Sequence, residues 1–254
     1  MLYPFFAMIN LSLVPNGEIF NQGGKLIYSP ITIDNYISVF NKIPLWKYFI
    51  NSLFVAIVTT LGQVIISALA GYAFAKFDFK GKNILFAIVV ATLAIPQQLG
   101  LIGFVVEMRW INMNNTLFPL IVNGMANAFG VFWMRQFIES SVPNEIIESG
   151  RVDGCREFGI FFRLVLPIIK SALITIFLLL FLWSWNSYMT PLVMISKQEN
   201  YTIPLSIALI SSEYRTDYAA RILALSMGTI PILVLFSFGS KYLIRGLVAG
   251  SVKG

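Results

Sequence analysis

Apolar residues in this chain gather in long unbroken runs, not in the short alternating or three-four patterns of a water-soluble domain. Runs at about 49–75, 84–106, 117–138, 168–194 and 220–244 are each long enough to supply the roughly 20 apolar residues a helix needs to cross hydrocarbon. The pattern predicts an all-α integral membrane protein with five complete transmembrane helices. A sixth run, residues 1–14, is apolar, but at about 1.5 Å per residue it reaches only about two thirds of the way across. It predicts an N-terminal partial first helix. It does not read as a signal peptide, because it has neither a basic flank nor a small-residue cleavage site. No repeat or soluble domain interrupts the pattern, so residues 1–254 form a single transmembrane domain.

One polar stretch stands apart. Residues 141–167 are charged and lie between two spans, where nothing about crossing a bilayer requires them. Pro143 and Glu145 suit the first turn of a helix, where a missing N–H is harmless and negative charge meets the positive dipole end. Gly154 supplies a joint at which the chain can turn without steric penalty. Beyond it, Phe158, Phe161, Phe162 and Val165 recur at i, i+3, i+4 and i+7, and Arg156 and Arg163 lie one heptad apart on another face. The stretch predicts two short helices on the membrane surface, hinged at the glycine, with one apolar and one charged side.

Composition narrows the function. Hydrophobic residues make up 57% of the chain and charged residues only 12%, against about 25% in an average soluble domain. The net charge of +6 implies basic loops on the cytoplasmic side rather than a nucleic-acid surface. Segments 76–83, 135–170 and 241–254 hold eleven of the 18 basic residues and the opposite segments hold seven, which places the first set and the C-terminus in the cytoplasm. With no histidine and a single cysteine, Cys155, the chain offers no disulfide and no multi-cysteine metal site. It also lacks the G-x-x-x-x-G-K-[ST] loop that cradles nucleotide phosphates.

Ionisable residues are missing from the depth of every predicted span, which argues against coupling to protons. The polar residues that do occur there are uncharged. Gln97 and Gln98 follow Pro96, which bends the third span; Asn123 and Asn127 are four residues apart on the fourth. Trp183, Trp185, Asn186 and Ser187 occupy the outer part of the fifth, and Gly228 and Pro231 break the sixth. Amides beside aromatic rings suit a hydroxyl-rich neutral solute. The same amides also serve as helix–helix glue, and tryptophans also anchor helices at the membrane interface. Both alternatives stay open.

Spacing in the polar stretch resembles that of permease subunits of binding-protein-dependent ABC importers. Their pattern is E-A-A, three residues, Gly, nine residues, I-x-L-P. This chain has Glu148, Ser149, Gly150, then Gly154, then Leu164, Val165, Leu166 and Pro167, with every spacing kept and small residues replacing the alanines. Asp153-Gly154 resembles the I-D-G-A form of sugar importers, with Cys155 in place of alanine. Ser184-Trp185-Asn186-Ser187-Tyr188 with Pro191-Leu192 resembles S-W-N-[DE]-F…P-L of the maltose-type branch, although Ser187 replaces the acid and Ser171 a frequent proline. Arg245-Gly246-Leu247 with Gly250 and Lys253-Gly254 resembles that branch's ending. Three outer-loop stretches, Thr32–Tyr36, Tyr201–Leu205 and Tyr214–Tyr218, resemble its loops. The family's first helix ends in a segment like Tyr3-Pro4-Phe5-Phe6-Ala7-Met8-Ile9, which implies a longer natural start, by roughly 20–30 residues, and a six-helix pattern.

The resemblance implies a bacterial inner- or plasma-membrane permease, the second of a heterodimeric pair, importing a sugar, most naturally an oligosaccharide. Its partners would be a homologous permease, two cytoplasmic ATPase subunits, an extracellular binding protein and membrane lipid, with no nucleic acid. ATP and Mg would bind the ATPase subunits, leaving no cofactor in this chain. Coupling to the ATPase would rest on Glu145, Glu148, Ser149, Gly150, Asp153, Gly154, Phe158, Phe161, Phe162, Leu166 and Pro167. The substrate pathway would use Gln97, Gln98, Asn123, Asn127, Trp185, Asn186 and Ser187. The competing readings are an ABC permease for another neutral solute and an ATP-independent secondary transporter.

Overall fold

A computed structural model describes residues 3–23, 27–213 and 218–251. Lys25, residues 214–217 of the third outer loop, and Lys253-Gly254 lie outside the described residues. Regular structure among the described residues is all helical. In chain order the helices are α1 (Tyr3–Ser12), α2 (Asp34–Lys42), α3 (Leu45–Lys76), α4 (Lys82–Ala91) and α5 (Leu101–Trp110). They continue with α6 (Phe118–Met125), α7 (Ala128–Ser141), α8 (Asn144–Val152), α9 (Glu157–Ile160) and α10 (Leu166–Ile168). The last are α11 (Lys170–Trp185), α12 (Met189–Met194), α13 (Ile203–Glu213) and α14 (Tyr218–Ser251).

Two of the five predicted spans are continuous helices long and apolar enough to cross a bilayer, Leu45–Lys76 and the Tyr218–Gly239 part of α14. The others are broken, each for a local reason. Pro96 lacks an N–H and forces Ile95 into extended backbone (φ −87°, ψ 121°), so Lys82–Ala94 and Gln97–Trp110 meet at 94°. The run predicted at 117–138 is two helices, because Asn127 is extended (φ −127°, ψ 109°) and caps α7 by accepting the Gly130 N–H at 2.8 Å. Asn123 and Asn127 therefore do not share one helical face. In the run at 168–194, α11 ends at Trp185 and α12 follows after a turn. The expected break at Gly228 and Pro231 is absent: α14 runs through Pro231.

The chain folds as two compact units. One draws on residues up to Val55, Val105–Leu120 and Trp185–Val234. Its core packs Val39, Ile43, Leu45 and Tyr48 against Ile203, Ile210, Leu223 and Ala224. Buried amides and hydroxyls fasten it: Asn51 Nδ2 donates to the carbonyls of Glu199 and Tyr201 at 2.9 and 3.0 Å, and Ser52 Oγ accepts the Ile203 N–H at 2.7 Å. The short α1 is tied to α2 by Asn35 Nδ2, which donates to the carbonyl oxygens of Ser12 and Val14 at 3.1 and 2.6 Å. Those carbonyls lie at the end of α1 and just beyond it, where the helix has no donors of its own.

The other unit draws on Ala56–Phe104, Ile121–Ser184 and the chain from Leu235 onward. Its core runs from Ala68 and Tyr72 through Met134, Ile138 and Ile147 to Ile160, Phe161, Val165, Ile169 and Ile176. The C-terminal half of α3 lies close against α6 and α7 because the contact positions are small. A Cβ placed on Gly71 would meet Met134 Cβ at 2.7 Å and the Arg135 backbone nitrogen at 2.8 Å, and one on Gly124 would meet Thr59 Cγ2 at 2.5 Å. Close backbone approach at small residues is a main source of helix cohesion in lipid, where burial of apolar surface gives no drive. Gly71→Ala should therefore destabilise the folded protein by about 1–3 kcal/mol, since the obstructing atoms include backbone that cannot move aside. Gly17→Ala, with nothing within 4 Å of the new methyl, is the control. Denaturant unfolding in detergent micelles checks this, and equal midpoints for the two variants would count against the tight crossing.

Candidate functional site

Residues 143–168 build a helix pair closed by one glycine. Pro143 precedes α8 and Glu145 stands in its first turn. At the other end Gly154 has φ +76°, a left-handed conformation that a side chain resists. The Gly154 N–H reaches the Arg151 carbonyl at 3.0 Å and the Cys155 N–H reaches the Gly150 carbonyl at 2.9 Å, the paired bonds of a Schellman cap. The chain thus reverses at once into α9. Gly150 makes the return possible, because a Cβ there would meet Leu164 Cδ1 at 2.9 Å and Ile160 Cγ1 at 3.1 Å. Arg151 Nε donates to Glu157 Oε1 at 2.7 Å, and this hydrogen bond raises the guanidinium's already high pKa.

The predicted single aromatic face is divided. Phe161 is 3% exposed and packs on Tyr72 (ring centroids 5.3 Å apart), whereas Phe158 and Phe162 are 71% and 57% exposed. Phe161 and Phe162 are about 100° apart on the helix, with Phe158 on the outward side, and the π-helical turn over Phe161–Val165 then adds a residue that brings Val165 back to the buried side. Leu164 and Leu166 are partly buried against the core, and Pro167 is exposed just before the chain bends by 82° into α11. What faces outward is therefore a mixed surface: Glu145, Glu148, Ser149 and Asp153 as polar groups, with Val152, Phe158 and Phe162 as apolar ones.

The same unit holds a cavity of about 450 Å³ where two helix interruptions meet. Thr92, Ile95 and Gln97 come from the break at Pro96; Asn123, Ala126 and Asn127 come from the break between α6 and α7. Phe129 and Trp183 close one side, with ring centroids 5.2 Å apart. Interrupted backbone at membrane depth survives only where protein or water covers it, so two breaks facing one cavity is an economical arrangement. The lining is free of charge and carries amides, a hydroxyl and flat aromatic faces.

Of the residues expected along a pathway, the structure brings Gln97, Asn123 and Asn127 to this cavity. Gln98, on the adjacent turn, is exposed and not in the lining. Trp185 belongs to the other unit, where it is 2% exposed, donates from Nε1 to the Gly228 carbonyl at 2.9 Å and meets Phe49 edge-on at 5.7 Å. Asn186 and Ser187 lie in that unit, in the turn before α12. Two residues on a helix are about 200° apart around its axis, so Trp183 and Trp185 point to opposite sides. The spacing alone did not say which of them faces a cavity. Sequence reasoning also missed a polar stripe on α3: Thr59, Gln63 and Ser67, at i, i+4 and i+8, are buried against α6 and α7. Gln63 Nε2 donates to the Gly124 carbonyl at 2.5 Å.

Residues 63–248 match the family described as binding-protein-dependent transport system inner membrane component. The chain belongs to this family. It is therefore an inner-membrane permease component of a transport system, a transporter subunit rather than an enzyme. Among its relatives is the arabinooligosaccharides transport system permease protein AraQ of Halalkalibacterium halodurans, 33% identical over 256 residues that cover 100% of this chain and 91% of that one. AraQ of Bacillus subtilis is 34% identical over 260 residues, with the same coverage of 100% and 91%. In fold the permease resembles a bacterial ABC transporter involved in import of the acidic polysaccharide alginate, with a TM-score of 0.80 at 23% identity over 95% of this chain and 90% of that one.

Cysteine accessibility tests the cavity. In a Cys155→Ser background, Gln97→Cys and Trp183→Cys should react with a water-soluble maleimide at least about tenfold faster than Trp185→Cys, as exposure governs thiol reactivity. Equal rates at all three positions would reject the cavity as a water-accessible space.

Proposed function

We propose that this permease is one of two homologous membrane subunits of an ATP-driven importer for a neutral sugar, an oligosaccharide by preference, delivered by an extracellular binding protein. The observation that carries the reading is the closed helix pair at 143–168, a rigid surface with charged and apolar groups side by side. Such a mixture suits docking into a groove of a separate protein, with aromatic anchors inside and charges around them. In this reading Glu148 and Asp153 are the charged handles on a cytoplasmic ATPase subunit, Val152, Phe158 and Phe162 are the apolar contacts, and Phe161 steadies the pair from within. ATP and Mg belong to the ATPase.

Supporting the sugar assignment are the uncharged amides and aromatic rings of the cavity and the arabinooligosaccharide relatives. An uncharged lining favours a neutral sugar over an acidic polysaccharide, whose charge would call for basic partners. It also disfavours an ion-coupled secondary transporter. Lys82–Ala94 with Gln97–Trp110 counts as one broken crossing, α6 with α7 as another and α11 with α12 as a third, and α3 and α14 as continuous ones; with α1 as a partial first helix they give the family's six-helix pattern. The helix pair and the C-terminus face the cytoplasm, in keeping with the basic residues around them.

Two outcomes follow. Vesicles containing the permease, its partner permease and the ATPase should accumulate a labelled arabino-oligosaccharide or another neutral oligosaccharide only when binding protein and ATP are both supplied. Uptake without the ATPase would defeat the proposal. Gly154→Val should keep the protein inserted but abolish stimulation of ATP hydrolysis by the binding protein. The left-handed φ, not crowding, is what valine violates: nothing lies within 4 Å of a Cβ there, and the strain is about 1–3 kcal/mol. Stimulation at the wild-type level would mean that the joint plays no part in coupling.

A further inference from the structure

Surface helices can pass movement to the membrane core along the chain or through side-chain contacts. The chain route leads through the π-helical turn at Phe161–Val165 and the 82° bend into α11, a compliant path because neither element is held by a regular ladder of hydrogen bonds. The contact route is more definite. Tyr72, near the end of α3, is 4% exposed and lies within reach of the pair. Its ring packs on Phe161 of the pair and edge-on against Phe77, with centroids 5.3 Å away in both cases. Its hydroxyl donates to Glu157 Oε2 at 3.4 Å, while Glu157 Oε1 holds Arg151. The hydroxyl contact is long and the Arg151–Glu157 pair is 44% and 41% exposed. The ion pair therefore orients the carboxylate, and ring packing bears the load. Lys76 also reaches Asn144 at 2.9 Å, but in an exposed position open to competition from water.

From Tyr72 the route continues along α3. Nine residues back, about 14 Å along a regular helix, Gln63 bonds the Gly124 carbonyl next to the cavity residue Asn123. The side-chain oxygens of Thr59, Gln63 and Ser67 are buried here without a protein partner. Unpaired buried oxygens along one contact mean that α3 can shift against α6 and α7 without breaking a bond at these atoms, and with bonds to gain.

We propose that Tyr72, gripped by Phe161 and Glu157, is the positioning residue through which motion of the surface pair enters α3 and changes access to the amide-lined cavity. The inference rests on the coupling role assigned above to the pair. Its test uses the assembled complex with partner permease and ATPase subunits, carrying Cys155→Ser and Ala126→Cys, the latter on the cavity wall. The readout is the rate of labelling by a water-soluble maleimide with and without Mg-ATP.

With Tyr72 intact, Mg-ATP should change that rate at least about fivefold, in the range of ordinary allosteric coupling. Tyr72→Leu should abolish the change, and Tyr72→Phe and Glu157→Ala should reduce it, while the ATPase subunits still copurify and still hydrolyse ATP. Glu157→Gln, which keeps an acceptor for Arg151, should retain more of the response than Glu157→Ala. A purely structural role would instead lower thermal stability in step with the response. Loss of the ATPase subunits from the Tyr72 variants would overturn the proposal, because the residue would then only shape the docking surface. So would an unchanged response in Tyr72→Leu while Gly154→Val abolishes it, a result that leaves the coupling reading intact. An unchanged response in Gly154→Val overturns the coupling reading itself and this inference with it.

Discussion

Backbone hydrogen bonding inside hydrocarbon is the constraint on which the rest of this structure depends. An unpaired N–H or C=O at that depth costs several kcal/mol, so each departure from a continuous helix needs cover. Two departures, at Pro96 and Asn127, face one cavity and cap or expose their free groups there. A place where helices end is also a place where amides can point at something other than the next turn. The polar lining of the cavity and the breaks in the helices are thus two aspects of one arrangement.

Contact between α3 and its neighbours follows from the same solvent. Lipid gives apolar surfaces no reason to leave it, so cohesion comes from close packing at glycines and from polar groups that meet across the seam. Gly71 admits the opposing backbone, Gly124 and Gly130 admit the side chains of Thr59 and Ser67, and Gln63 bonds across. The unpaired oxygens of Thr59, Gln63 and Ser67 leave this stretch of the seam less tightly committed than the end of α3, where Ala68 and Tyr72 join the apolar core. Firm contact at one end of α3 and uncommitted polar atoms further along it are a physical basis for that helix to carry movement from one to the other.

Helical class, the location of the apolar runs and the hinged pair were legible because each rests on composition or on a local rule. Gly154 reads as a joint from its chemistry, and its left-handed φ follows. Breaks were harder. Pro96 announces one; Asn127 does not, since an asparagine within an apolar run is as good as glue until its neighbours decide that it caps a helix. Pro231 was the reverse case: it announces a break, yet α14 continues through it, as a membrane helix can where neighbouring groups satisfy the freed carbonyl. Faces were the least legible. Trp183 against Trp185, and Phe161 against Phe158 and Phe162, depend on helix phase, which a single misplaced turn resets.

That turn has a consequence for the motif itself. A π-turn holds one more residue than the α-turn it replaces, so the nine residues between Gly154 and Leu164 measure an angle as well as a length. Removing one of them while the π-turn at Phe161–Val165 is kept would swing everything before it by about 100° relative to α11. Fixed spacing in such a segment acts like the tooth count of a gear, fixing the direction in which the outward face points. A surface pair transplanted from another permease would have to match this count to mesh, however similar its side chains.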